Sequence, residues 1–91
     1  MEPEQPGDVL RDLGRRIAEL RAQNGQTQEQ LSEKLNVSLQ YLQRIEMGRE
    51  NLTVRSLTRL AEALAVPLKD LFVEPQNREV RIGRPPARER P

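Results

Sequence analysis

The side chains with the most chemistry in this sequence lie between Thr27 and Gly48, in TQEQLSEKLNVSLQYLQRIEMG. Gln40, Tyr41, Gln43 and Arg44 place two amides, a phenol and a guanidinium on one short stretch. Such groups suit the edges of base pairs: a Gln amide matches adenine and an Arg fork matches guanine, each pair giving about 1–3 kcal/mol of discrimination. Groups that would run a reaction are missing. The 91 residues include no His and no Cys, so the commonest general base and metal ligand is absent, as is any thiolate or disulfide framework. There is no Gly-rich phosphate loop and no metal-ligand cluster. The chemistry on offer is recognition, with no enzyme activity and no cofactor expected.

To present these side chains together, the segment must form two short helices joined by a tight turn. Thr27 caps the first of them and Gln30 completes a capping box. Leu31 and Leu35 face inward, and Asn36 ends the helix with a positive φ that Asn tolerates. Val37 plugs the turn, and Ser38 caps the next helix, where Leu42 and Ile45 point into the core and Gly48 ends the run. Before this pair, a helix is predicted from Val9 to Gln23, with Asp8 as N-cap. Leu10, Leu13, Ile17 and Leu20 recur at spacings of three and four, and Asn24-Gly25 provides a left-handed stop. After the loop Arg49 to Leu52, Thr53 caps a fourth helix bearing Leu57, Leu60, Ala61 and Leu64. Pro67 opens a short fifth helix through Leu68, Leu71 and Phe72. The expectation is an all-α, five-helix domain over residues 9–74. A flexible acidic tail (1–8) precedes it and an Arg/Pro-rich tail (75–91) follows, in which REVRI at 78–82 alternates like a short strand.

A domain of this size buries only about 60% of its unfolded surface, so its core has to be dense in Leu and Ile. Tyr41 and Phe72 are the only aromatic residues. The net charge of +1 hides an uneven distribution. Glu2, Glu4 and Asp8 make the first eight residues −3, while Arg78, Arg81, Arg84, Arg88 and Arg90 against Glu79 and Glu89 make the last stretch +3. Most of the cations are Arg, which suits bidentate contact to phosphate and guanine, although genome base composition gives the same bias. No apolar run approaches the roughly 20 residues of a membrane span, and the acidic start does not read as a signal peptide. A soluble, cytoplasmic, nucleoid-associated protein is expected.

Taken together, GRRIAELRAQNGQTQEQLSEKLNVS, RIEMG and SLTRLAEALAVPLKDLF resemble the Cro and lambda-repressor-like (XRE-type) helix-turn-helix family. The similarity runs from about Leu13 to Phe72. Residues 46–64 are similar to the small controller proteins of restriction–modification systems and to stand-alone repressors. Ser32 and Asn36 stand where the family usually has Ala and Gly. The resemblance implies that the third helix enters the major groove of double-stranded DNA. Leu39, Gln40, Tyr41, Gln43 and Arg44 are then the base-reading candidates, Gln40 and Arg44 foremost; the alternative is a solvated helix face. Gln28 would set a phosphate against a helix N-terminus, or simply start the helix. Ser38, Arg49, Asn51, Thr53 and Arg55 are further phosphate candidates, Ser38 being first of all a cap and Arg49 equally a solvated loop residue. By the same resemblance, Arg21 and Glu46 form an internal salt bridge that organises the fold.

Leu64, Val66, Leu68, Leu71 and Phe72 are more apolar than the end of so small a domain needs. Ordinary core is the favoured reading for Leu64, Leu68 and Phe72, yet part of the set is expected to form a two-fold dimer interface. A homodimer would hold two recognition helices about 34 Å apart, one DNA turn. Ile82-Gly83-Arg84-Pro85 partly resembles the centre of an AT-hook, a minor-groove element. General phosphate attraction, an inert tail and strand pairing across the dimer are the other readings of this segment. The leading function is a sequence-specific regulator, most simply a repressor, acting as a homodimer on an inverted repeat. The alternative is an antitoxin-like or adaptor module whose main partner is another protein.

Overall fold

The computed structural model describes residues 4–77. They contain α1 (Pro6–Gln23), α2 (Gln28–Leu35), α3 (Leu39–Glu46), α4 (Val54–Leu64) and a 3-10 helix, Leu68–Phe72. No strand occurs among the described residues, and the REVRI segment lies outside them. Among the described residues the architecture is all-helical, but with four α-helices instead of five. Where a fifth was expected, Pro67 and Pro75 bracket a stretch too short to propagate an α-helix, and a tighter 3-10 turn forms.

α1 begins earlier than the expected Val9. Pro6 occupies its first turn, where a fixed φ suits the helix and the missing N–H has no partner to lose. Asp8 is therefore not the cap. Gln5 holds that position without a side-chain bond, and Asp8 sits inside the first turn, facing the positive end of the dipole and accepting from Arg11. The three later N-caps are Thr27, Ser38 and Thr53, each accepting from a backbone N–H in its own helix. Thr27 and Gln30 form the full capping box.

All four α-helices end alike. One residue turns left-handed: Gly25, Asn36, Gly48 and Ala65, with φ of 69°, 59°, 75° and 61°. The following N–H then bonds back to a carbonyl near the helix end: Gln26 to Arg21, Val37 to Ser32, Arg49 to Arg44 and Val66 to Ala61. Ala65 is the strained member, since this conformation costs an L-residue roughly 1–2 kcal/mol. Glycine removes that strain but adds about 0.4–1 kcal/mol of unfolded-chain entropy to be lost. Ala65→Gly is therefore expected to stabilise by about 0.5–1 kcal/mol, raising Tm by about 2–8 °C. An unchanged or lower Tm in a thermal melt would show that the strain is already relieved.

The core lies where the helices converge. Ile17 of α1, Leu31 of α2, Leu42 of α3, Leu60 and Leu64 of α4, and Leu71 are its fully buried side chains. Leu10, read as part of the α1 stripe, is only half-buried. Beyond apolar packing, side chains reach across to carbonyls at helix ends. Arg15 donates to the carbonyl of Glu46, Arg59 to that of Leu35 at 2.6 Å and Asn24 to that of Leu64 at 2.9 Å. Arg16 does the same for Asp70 at 2.8 Å. The last carbonyls of a helix have no intrahelical donor and carry its negative dipole end. At Glu46, Leu35 and Leu64 the donor thus answers a local deficit, and all four bonds fix the crossing of two elements.

Candidate nucleic-acid interface

The candidate surface is held in place by one acidic residue. Glu46, at the end of α3, is 3% exposed. Its carboxylate accepts two bonds from Arg21 of α1, Nε to Oε2 at 2.7 Å and Nη2 to Oε1 at 3.1 Å. Gln28, first in α2, donates to the same Oε1 at 2.9 Å. The Gln43 amide reaches Gln28 Oε1 at 3.4 Å, and Arg21 also donates to the backbone carbonyl of Gln26 at 2.9 Å. α1, α2 and α3 are therefore cross-linked through charge-assisted bonds in a partly desolvated place, where such bonds are strong. Arg15 is buried beside them. Burial pushes its guanidinium below the ordinary arginine range, opposed by the charges of Glu46 and Glu19.

This network locks the inner side of α3 and leaves the other side outward. Leu42, Ile45 and Glu46 are buried. Gln40 and Arg44 are exposed, while Leu39, Tyr41 and Gln43 are half-buried. Arg44 is not an extended, independent side chain: its Nε donates to Glu50 Oε2 at 2.6 Å, and its guanidinium carbon lies 5.7 Å from the Tyr41 ring centroid.

The remaining candidates divide by what already occupies them. The Gln28 amide is committed to Glu46, so what it can offer an anion is chiefly the N–H groups of the first helical turn. Ser38 and Thr53 use their hydroxyls as caps, at 3.0 Å to Tyr41 N and Ser56 N respectively. Arg49, Asn51 and Arg55 are exposed around the α3–α4 loop. Within the expected dimer set, Leu64 takes the core place favoured for it, and Leu71 needs correcting. Leu64 is 0% and Leu71 1% exposed; both belong to the core of this chain and have no surface to offer a second copy. Leu68 and Phe72, favoured as core, are exposed at 36% and 56%, and Val73 joins them at 49%. Val66 is half-buried.

Three residues that matter to the surface were not singled out in the sequence: Gly14, Arg15 and Arg59. Only Gly14 carried a signal, since a glycine inside a helical pattern commonly marks close packing. A Cβ there would lie 2.5 Å from the carbonyl oxygens of both Ile45 and Glu46. It is the point where α1 and the end of α3 touch backbone to backbone.

With this geometry in hand, comparison with known proteins is direct. The helix-turn-helix family matches residues 17–71. The uncharacterized HTH-type transcriptional regulator y4dJ of Sinorhizobium fredii is 42% identical over 59 residues, 65% of this chain and 77% of the relative. The restriction–modification controller protein C.AhdI from Aeromonas hydrophila superposes with a TM-score of 0.66 at 31% identity, covering 71% of this chain and 97% of the other. For the clp gene regulator ClgR from C. glutamicum the values are 0.67 and 32%, over 79% and 90% of the two chains. The chain belongs to the helix-turn-helix family. Within it, the chain is of the XRE type, whose members are DNA-binding transcription regulators. No helix among the described residues is long and apolar enough to cross a membrane.

Proposed function

We propose that this protein is a sequence-specific transcriptional repressor that binds an inverted-repeat operator as a homodimer. In this reading α2 and α3 are the helix-turn-helix pair and α3 lies in the major groove. The observation that carries it is the division of α3 into two faces. One is locked to α1 and α2 through Glu46; the other turns Gln40 and Arg44 outward, with Leu39, Tyr41 and Gln43 half-buried at its margins. Gln40 and Arg44 read adenine and guanine, Leu39 meets a thymine methyl, and Tyr41 and Gln43 complete the contact. The first turn of α2 with Gln28, the start of α3 with Ser38, and the loop bearing Arg49, Asn51, Thr53 and Arg55 rest against phosphates. Those contacts set register and supply most of the salt dependence without choosing sequence. The second copy docks on exposed Leu68, Phe72 and Val73, with Val66 at the edge. Occupying the operator and excluding polymerase is enough for repression.

Selection from a randomised duplex pool tests this directly, at about 0.15 M salt so that purely electrostatic binding is suppressed. Enrichment of a two-fold repeat with half-sites about ten base pairs apart is the expected result. A folded sample that enriches no sequence would overturn the reading and point to a protein partner. An asymmetric single site would overturn the dimer alone.

A further inference from the structure

Glu50 sits in the loop after α3, four residues beyond the end of the helix, and its carboxylate holds Arg44 at Nε. The two side chains are 23% and 50% exposed. An exposed ion pair of this kind adds little to folding stability, so the fold does not explain it. Its effect is on orientation. With Nε engaged by Glu50 and one face of the guanidinium over Tyr41, the edge left to turn outward is the pair of terminal nitrogens. That edge is a two-pronged donor matched to guanine O6 and N7. A side chain fixed in this way also has less rotamer freedom to lose when it binds. A carboxylate on a face offered to a polyanion works against binding in general, and such unfavourable elements are a common source of specificity.

We infer that Glu50 is a specificity-determining positioning residue: it aims Arg44 at guanine and penalises binding where no guanine is present. The inference rests on the base-reading role of Arg44 proposed above, and its test separates the two.

The full-length protein, wild type and variant, is titrated by fluorescence anisotropy against its selected operator. The same titration is made with each single base-pair substitution of that operator and with an unrelated duplex of equal length. In wild type, one G·C pair is expected to be preferred by about 5- to 150-fold, the usual reach of a bidentate Arg–guanine contact, and Arg44→Ala should remove that preference. Glu50→Ala is expected to reduce it to less than about threefold while binding to the unrelated duplex becomes several-fold tighter. Glu50→Gln keeps an acceptor for Nε without the charge. It should retain most of the preference while gaining the same non-specific affinity. A merely structural role for Glu50 would weaken all duplexes together. If Arg44→Ala keeps every preference, both readings fall. If Arg44→Ala loses one and Glu50→Ala keeps it at the wild-type ratio, the positioning role alone falls.

Discussion

Gly14→Ala is expected to destabilise the domain by about 2 kcal/mol, although alanine is the better helix former by about 0.8–1.0 kcal/mol. The added Cβ has no flexible neighbour to displace: it would stand 2.5 Å from two backbone carbonyl oxygens, of Ile45 and Glu46, and 2.8 Å from the Glu46 carbonyl carbon. Relief requires α1 and the end of α3 to move apart as rigid segments. Overpacking of this kind typically costs about 1–3 kcal/mol and occasionally more, and the position of the clash, on backbone atoms, places it at the upper end. The separation also lengthens the bond from Arg15 to the Glu46 carbonyl and loosens the grip of Arg21 on the Glu46 carboxylate. Operator affinity should therefore fall by more than lost stability explains, because α3 is tilted in the molecules that remain folded. Urea denaturation gives the first number and binding at a temperature where the variant is folded gives the second. A variant as stable as wild type would mean that the two helices do not pack this closely in solution.

The contrast between Gly14 and Thr27 shows what the sequence can and cannot carry. Thr27, Gln30, Ser38 and Thr53 are caps whose partners lie within their own helices, so their roles are legible at a glance, as is the left-handed Asn36. Arg15 and Arg59 bond to carbonyls 31 and 24 residues away, and no local pattern announces which helix end each will reach. Ala65 gives no warning of its positive φ, because alanine does not favour that conformation and nothing in its residue type marks a helix end. The apolar residues after Pro67 mislead for a related reason. Helical periodicity assigns faces over several turns, but the 3-10 segment is five residues long, too short to show which of Leu68, Leu71 and Phe72 is inside. At the candidate site, Arg44 could be picked out by residue type and position. Its contact with Glu50 depends on how the loop folds back, which residue types alone do not specify.

Arg21→Ala should be the most damaging single change at the candidate surface, costing about 3 kcal/mol, near the lower end of the range for removing one partner of a buried ion pair. The lower end applies because Gln28 still donates to Glu46 and because the Arg21 side chain is itself 18% exposed. The two halves of the pair are not equivalent. Removing Arg21 strands a carboxylate whose side chain is 4% exposed, whereas removing Glu46 leaves a guanidinium that keeps the Gln26 carbonyl and can reach water. Glu46→Ala is therefore expected to cost less, about 2 kcal/mol, even though it deletes the hub of the network. The double variant Arg21→Met, Glu46→Leu should recover much of the loss, since apolar replacement of both partners avoids the unpaired charge. Its DNA affinity should remain low, because Gln28 loses the acceptor that fixes it at the start of α2. Urea denaturation of the three variants decides the matter, and the coupling is taken from the cycle closed by Arg21→Met, Glu46→Leu and their combination. Equal losses from the two single changes would show that solvent reaches Glu46 freely and that the pair is an ordinary surface bridge.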